Sequence, residues 1–186
     1  MKRIFDLSLS FLLILLLIAP MIIVAVMIRI MSNGPSLYWS NRVGKNNIIF
    51  KMPKFRSLNQ NTNPVASHLM ENINLISTPF GRFIRRTSID ELPQLYSVLK
   101  GDMSLVGPRP ALFNQDDLIK LRTEKGLEEI LPGITGWAQV NGRDNLSIEN
   151  KVILDCEYLN QKSFWFDLRI LWMTFIKVFN SHGISH

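Results

Sequence analysis

LSLSFLLILLLIAPMIIVAVMI, residues 7–28, decides how this chain folds, because it runs for 22 residues without a charge. As a helix rising about 1.5 Å per residue it reaches roughly 33 Å, comparable to the hydrocarbon core of a bilayer. A cleaved signal peptide has an apolar core of only about 7–15 residues followed by a small-x-small cleavage site. Nothing after Ile28 reads that way, so the segment belongs to the working protein.

Pro20 lies near the middle of the run. It lacks an amide N–H and sets its ring against the Leu16 carbonyl, which predicts a kink or break there. Lys2 and Arg3 precede the run; Arg29, Arg42, Lys45, Lys51, Lys54 and Arg56 follow it, and no acidic residue occurs between Asp6 and Glu71. Basic flanks on both sides place both ends at the cytoplasmic face. A re-entrant helix hairpin broken at Pro20 satisfies the proline and the charge symmetry together. A spanning helix satisfies only the length. The six following cations also read as a juxtamembrane patch for anionic headgroups.

A second membrane candidate is Ser163 to Phe179, where Trp165, Leu168, Trp172, Phe175 and Phe179 fall on one helical stripe. Asp167, Arg169 and Lys177 make spanning improbable. Tryptophan on an apolar stripe with cations elsewhere suits an interfacial amphipathic helix, core packing being the competing reading.

Composition narrows the chemistry. The chain has 186 residues, a formal net charge of +6, one cysteine (Cys156) and three histidines (His68, His182, His186). A disulfide scaffold is excluded and a histidine-ligated zinc enzyme is improbable, so catalysis must lean on carboxylates, arginines or hydroxyls. The basic residues gather beside the membrane run with no recognition motif, so no nucleic-acid partner is expected. The expected architecture is α+β and mainly helical: a re-entrant anchor over residues 1–30 and a small cytoplasmic catalytic domain over 31–186, with short β-hairpins and interfacial helices.

Within that domain Leu37–Trp39 and Ile48–Met52, joined around Gly44–Asn47, predict a small β-hairpin. Ser57 to Pro79 reads as a long polar loop with one short helix around Val65–Glu71. Asp116 to Leu131 is helical in pattern and ends at Pro132-Gly133. Trp137–Val140 alternates before the turn signal Asn141-Gly142, which predicts another strand.

Three segments could carry chemistry. In TSIDELPQL, Asp90 and Glu91 are adjacent, preceded by Arg82, Arg85 and Arg86 and followed by a helical pattern from Pro93 to Leu99. Ser88-x-x-Glu91 matches a capping box, so a purely structural role is the alternative. Pro93 weighs against it, since proline favours the first helical position and so leaves the carboxylates in the turn ahead of the helix. Two carboxylates beside guanidiniums suit a magnesium-bound phosphate ester. KGDMSLVGPRP, residues 100–110, sets Arg109 in a Gly/Pro-punctuated loop, and a planar guanidinium matches phosphate oxygens. In PGITGW, residues 132–137, Gly133 and Gly136 permit close backbone approach to a ligand.

Four blocks together resemble the signatures of the bacterial monotopic phosphoglycosyl transferases: Lys2-Arg3-x-x-Asp6, SIDELPQL (88–95), KGDMSLVGPRP (100–110) and PGITGWAQVNGR (132–143). They occur in the family's order and, with the amphipathic C-terminus, cover nearly the whole chain. One departure is Ala19-Pro20, where the family often has Ser-Pro. With no transmembrane bundle ahead of Lys2, the chain resembles the small members.

The resemblance implies sugar-1-phosphate transfer from a UDP-sugar, with an N-acetylated amino sugar as the donor class, to polyprenyl (undecaprenyl) phosphate with release of UMP. It implies Asp90 as nucleophile, an acyl-phosphate sugar intermediate and ping-pong kinetics, with Glu91 assisting. Mg²⁺ would be held by Asp90 and Glu91, and the donor contacted by Arg85, Arg109, Pro110 and Arg143. Membrane lipids and downstream glycosyltransferases are the implied partners, and the cytoplasmic face of the inner membrane the implied location. The alternatives are a hydrolase of UDP-sugars or polyprenyl diphosphates, and a membrane-anchored scaffold whose acidic pair is only a helix cap.

Overall fold

A computed structural model describes residues 1–58, 77–142 and 145–180. The expected helix around Val65–Glu71 and the expected site residue Arg143 lie outside these. The described chain is mainly helical with two small sheets. Helix α1 (Lys2–Met31) leads into an antiparallel hairpin of β1 (Leu37–Val43) and β2 (Ile49–Phe55). Then follow α2 (Pro79–Arg86), a 3₁₀ turn (Ile89–Gln94), α3 (Leu95–Lys100) and β3 (Ser104–Val106). Helix α4 (Asp116–Glu124), β4 (Gly133–Thr135), α5 (Trp137–Val140), α6 (Ile148–Gln161) and α7 (Phe164–Asn180) complete it.

The first hairpin forms as expected, with register Leu37↔Phe55 through Val43↔Ile49 and left-handed Asn46 and Asn47 at its tip. The second does not. Trp137–Val140 is a helical turn, and β4 pairs in parallel with β3. Four alternating residues are too few to separate strand from helix, since Trp137 and Val140 also lie three apart on a helix. The turn expected at Asn141-Gly142 is present but follows a helical turn and joins no strands, and Asn141 donates its side-chain amide to the Trp137 carbonyl at 2.8 Å. Helix α4 stops at Glu124, short of Leu131, because Gly126 turns the chain left-handed at φ 70°.

Pro20 sits inside one continuous helical element and not at a break between two. Proline removes a single ladder hydrogen bond, which a long helix absorbs when its two halves are held by tertiary contacts. Those contacts exist. Phe5, Leu9, Leu13 and Ile14 pack on the main core around Leu95, Val98, Met103 and Ile170. Val24 and Ile28 pack on a second cluster with Phe55 and Ile84. The opposite face, from Phe11 and Leu12 through Leu16 to Ile23, is exposed. The helix is long and apolar enough to cross a membrane.

The Gly-rich segments meet one another. β3 and β4 run side by side, Gly107 N donates to Thr135 O at 2.9 Å and Gly133 N to Pro108 O at 2.9 Å. A methyl group on Gly133 or Gly136 would fall on backbone atoms of Gly107. The close approach predicted for these glycines is therefore to the chain itself and not to a ligand. Gly133→Ala is expected to cost about 3 kcal/mol, lowering the melting temperature by roughly 6–12 °C in a thermal scan.

Candidate active site

The acidic pair is set by a chain reversal. α2 begins at Thr78, whose Oγ1 accepts from Gly81 N at 2.8 Å, and ends at Thr87, whose hydroxyl donates to Phe83 O at 2.9 Å. Ser88 then adopts a left-handed conformation, φ 56°, and its side chain makes no capping bond. The capping box is therefore not formed. Asp90 and Glu91 occupy the tight turn before α3, where Pro93 can sit without costing a helical bond.

Asp90 is buried, 9% exposed. Burial pushes its carboxyl up to about 6, aided by the negative Glu91 and opposed by Lys54, Arg85 and Arg109. Glu91 Oε1 accepts from Lys54 Nζ and from Arg109 Nη2, each at 2.9 Å. The Lys54 side chain is largely buried, 14% exposed, and desolvation moves its pKa below the usual lysine range against the pull of Glu91. Two carboxylates thus share a pocket with three cations.

Of the three arginines before the pair, Arg85 is the one whose charge acts on Asp90. Arg82 donates to the Ser77 carbonyl at 3.3 Å, and Arg86 is exposed. Arg109 reaches Glu91 because its loop is braced from behind. Arg122 Nη1 donates to the Arg109 carbonyl at 2.8 Å while its Nη2 pairs with the buried Asp155 at 2.7 Å. Arg42 Nη1 donates to the Pro110 carbonyl at 3.2 Å. Pro110 is buried and shapes this loop.

Sequence reasoning grouped Lys54, Arg42 and Arg56 into a lipid-facing patch. Within the described residues these three turn inward: Lys54 to Glu91, Arg42 to Pro110, and Arg56 to Ser32 at 2.7 Å. A signal was present for Lys54. Phe50, Met52 and Lys54 are alternate residues of β2, and two buried apolar neighbours mark that face as inward. A lysine on such a face needs a carboxylate partner.

Among the described residues no group of three or more His, Cys, Asp or Glu side chains is placed to hold a metal. Asp90 and Glu91 still fit Mg²⁺ of the kind bound through one or two carboxylates plus substrate phosphates. Burial leaves the Asp90 charge under-compensated, which a divalent cation would correct.

Comparison with known proteins shows the family of the chain. Residues 1–181 match the model of the bacterial sugar transferase family. The chain is 41% identical to the uncharacterized sugar transferase EpsL of Bacillus subtilis, over 100% of this chain and 90% of that one. It is 42% identical to the undecaprenyl-phosphate glucose phosphotransferase of Komagataeibacter xylinus, over 93% of this chain and 35% of that one. It is 37% identical to the UDP-glucose:undecaprenyl-phosphate glucose-1-phosphate transferase of Escherichia coli, over 96% of this chain and 40% of that one. The chain thus spans little more than a third of these two longer relatives and nearly all of the first. With its acidic pair buried among cations beside a long apolar helix, and with these matches over its length, the chain belongs to the bacterial sugar transferase family.

Proposed function

We propose that the protein transfers a sugar-1-phosphate from a UDP-sugar to undecaprenyl phosphate at the cytoplasmic face of the inner membrane. The observation that carries this reading is the buried Asp90–Glu91 pair facing Lys54, Arg85 and Arg109. Two carboxylates against three cations leave one positive charge in excess, which favours an anionic diphosphate donor. Asp90 attacks the phosphorus bonded to the sugar, forming a carboxyl–phosphate bond. The phosphate–phosphate link to UMP breaks and UMP leaves with the electron pair. An oxygen of the lipid phosphate then attacks the same phosphorus and releases the Asp90 carboxylate. Covalent capture divides one displacement into two and makes the kinetics ping-pong.

Arg109 and Arg85 are placed to orient the diphosphate, and Lys54 keeps the Asp90 charge accessible at neutral pH. Mg²⁺ held by Asp90 and Glu91 would supply charge neutralisation for the diphosphate. Glu91, already fixed by two cations, orients rather than attacks. Arg143 belongs to the same proposal on resemblance alone.

One feature favours a re-entrant course for α1. Asp6 and Ile28 are both buried against the domain, yet a straight helix between them measures roughly 33 Å, a hydrocarbon thickness. A spanning helix would carry one of them to the far side. The Trp-bearing stripe of α7 is also outward: Trp165 is 78% and Trp172 63% exposed, while Phe166 and Ile170 face the core. In single-tryptophan variants reconstituted with brominated lipid, fluorescence of Trp172 is expected to be quenched and that of Trp137 spared. Trp137 donates to Glu157 at 2.8 Å and packs at a tilt against the Phe166 ring, centroids 5.0 Å apart. Equal quenching of both would remove the interfacial assignment.

The resemblance implies an N-acetylated amino sugar, whereas the two relatives above with substrate names are named for glucose. UMP release is therefore measured with UDP-N-acetylglucosamine, UDP-N-acetylgalactosamine, UDP-glucose and UDP-galactose, with Mg²⁺ and undecaprenyl phosphate. Lipid-dependent release supports the transferase. Release indifferent to lipid identifies a hydrolase, and none with any donor returns the weight to a scaffold. Incubation with donor alone is expected to add one sugar-phosphate to the intact mass.

A further inference from the structure

Lys2 and Arg3 read from sequence as a basic flank of the membrane run, yet both, together with Asp6, are bonded to the domain. Arg3 Nη1 donates to the Val98 carbonyl at 2.8 Å and Nη2 to the Leu99 carbonyl at 3.1 Å. These are last-turn carbonyls of α3, where the regular helical bonding runs out; Val98 O also accepts from the capping Gly101 N at 3.2 Å. Asp6, only 2% exposed, accepts from Ser104 Oγ at 2.8 Å and from Leu105 N at 3.2 Å, at the start of β3. Lys2 Nζ pairs with Asp167 of α7 at 2.6 Å and donates to the Val106 carbonyl at 3.1 Å.

The two segments gripped in this way are the two that meet at the active site. α3 continues directly from the turn carrying Asp90 and Glu91. β3 continues directly into the loop carrying Arg109. The Arg109–Glu91 bond closes the stretch 91–109 at one end, and the first two turns of α1 clamp it at the other. Neither a six-residue helix nor a three-residue strand is long enough to fix their mutual position by itself.

We infer that Arg3 and Asp6 are positioning residues of the transfer reaction: the membrane helix is a structural wall of the active site, and undocking its first turns slackens the Glu91–Arg109 pair. This inference rests on the transferase reading for its kinetic consequence, and on the contacts alone for its structural one. A helix that must be docked for the site to be in register also ties turnover to the membrane-embedded state.

The test uses the full chain in lipid nanodiscs with Arg3→Met, Asp6→Asn and Arg3→Lys beside the wild type. Arg3→Met and Asp6→Asn are expected to lower kcat by about 10–100-fold, the scale of a small misplacement of reacting groups. The donor KM is expected to change by less than about threefold, because the groups that bind the donor are still present. Arg3→Lys, which can still donate to both carbonyls, is expected to recover most of kcat. Amide hydrogen exchange is expected to accelerate across 95–109 in the two defective variants and not across α6. Should Arg3→Met fail to fold, Asp6→Asn and Arg3→Lys carry the comparison. Unchanged kcat and unchanged exchange across 95–109 overturn the inference. So does a loss that appears wholly in KM or in nanodisc incorporation. A wild type with no transfer for any donor defeats the transferase reading instead, and the exchange comparison then decides the clamp by itself.

Discussion

Asp90→Asn is expected to reduce lipid-dependent UMP release by at least ~10³-fold and, at the same time, to make the protein harder to unfold at neutral pH. The first effect follows from the chemistry, since a carboxamide cannot form the carboxyl–phosphate bond. The second follows from burial. Asp90 titrates at about 6 in the folded protein, above its ordinary 3.8, chiefly because burial disfavours the charged form. The folded state therefore binds the proton more tightly than the unfolded chain does. The stability tied to the protonated carboxyl is complete below about 4 and is lost as the pH rises through about 6. At pH 7.5 the native protein carries a penalty on the order of 2–3 kcal/mol for keeping this carboxylate charged. Asparagine has the same shape and no charge. Melting temperatures at pH 4 and pH 7.5 should show the variant gaining at pH 7.5 and little at pH 4. The wild-type rate should fall as the pH drops through about 6, when the nucleophile takes up its proton. A variant that keeps releasing UMP would remove Asp90 from the role of nucleophile.

The parts of this site that were legible in the sequence are those fixed by near neighbours. Pro93 pushed the helix start past the acidic pair, and the structure places Asp90 and Glu91 in the turn before Leu95. The hairpin was legible from its turn residues, and the membrane helix from a run with no charge. What stayed hidden depends on residues far apart in the chain. Lys54 meets Glu91 across 37 positions and Arg122 meets Asp155 across 33, and no local period announces either pairing. Gly107 touches Gly133 because β3 and β4 pair in parallel, a register that a three-residue strand is too short to reveal. The six cations after the apolar run were read together as a patch for lipid headgroups. Topology needs only the sign of those charges, whereas the fold uses the geometry of individual guanidiniums.

Lys54→Met carries the second large effect, and its pH dependence separates electrostatics from packing. Methionine preserves most of the aliphatic stem of a largely buried side chain, so the local volume is nearly kept. The charge is not. Lys54 is the strongest of the cations that hold the Asp90 carboxyl down against burial. Without it Asp90 moves further above 6 and is protonated over more of the neutral range. Glu91 retains Arg109 at 2.9 Å, so the variant does not leave an unpaired buried carboxylate, the situation that makes broken ion pairs costly. The expected result is a fall in kcat at pH 7 of about 10²-fold, the scale of a displaced catalytic pKa together with a lost orienting charge. The acid limb of the kcat profile should move to higher pH, so that part of the deficit is recovered between about pH 7 and pH 9. A purely structural lysine would lower the rate by the same factor at every pH, and that flat ratio would rule out electrostatic control of Asp90 by Lys54. Lys54→Arg tests the geometry: it keeps the sign of the charge but replaces a compact ammonium with a planar fork, in a pocket where Arg109 already occupies one side of Glu91. Its acid limb should stay near the wild-type position while its kcat falls, because the field on Asp90 is preserved and the alignment of Glu91 is not.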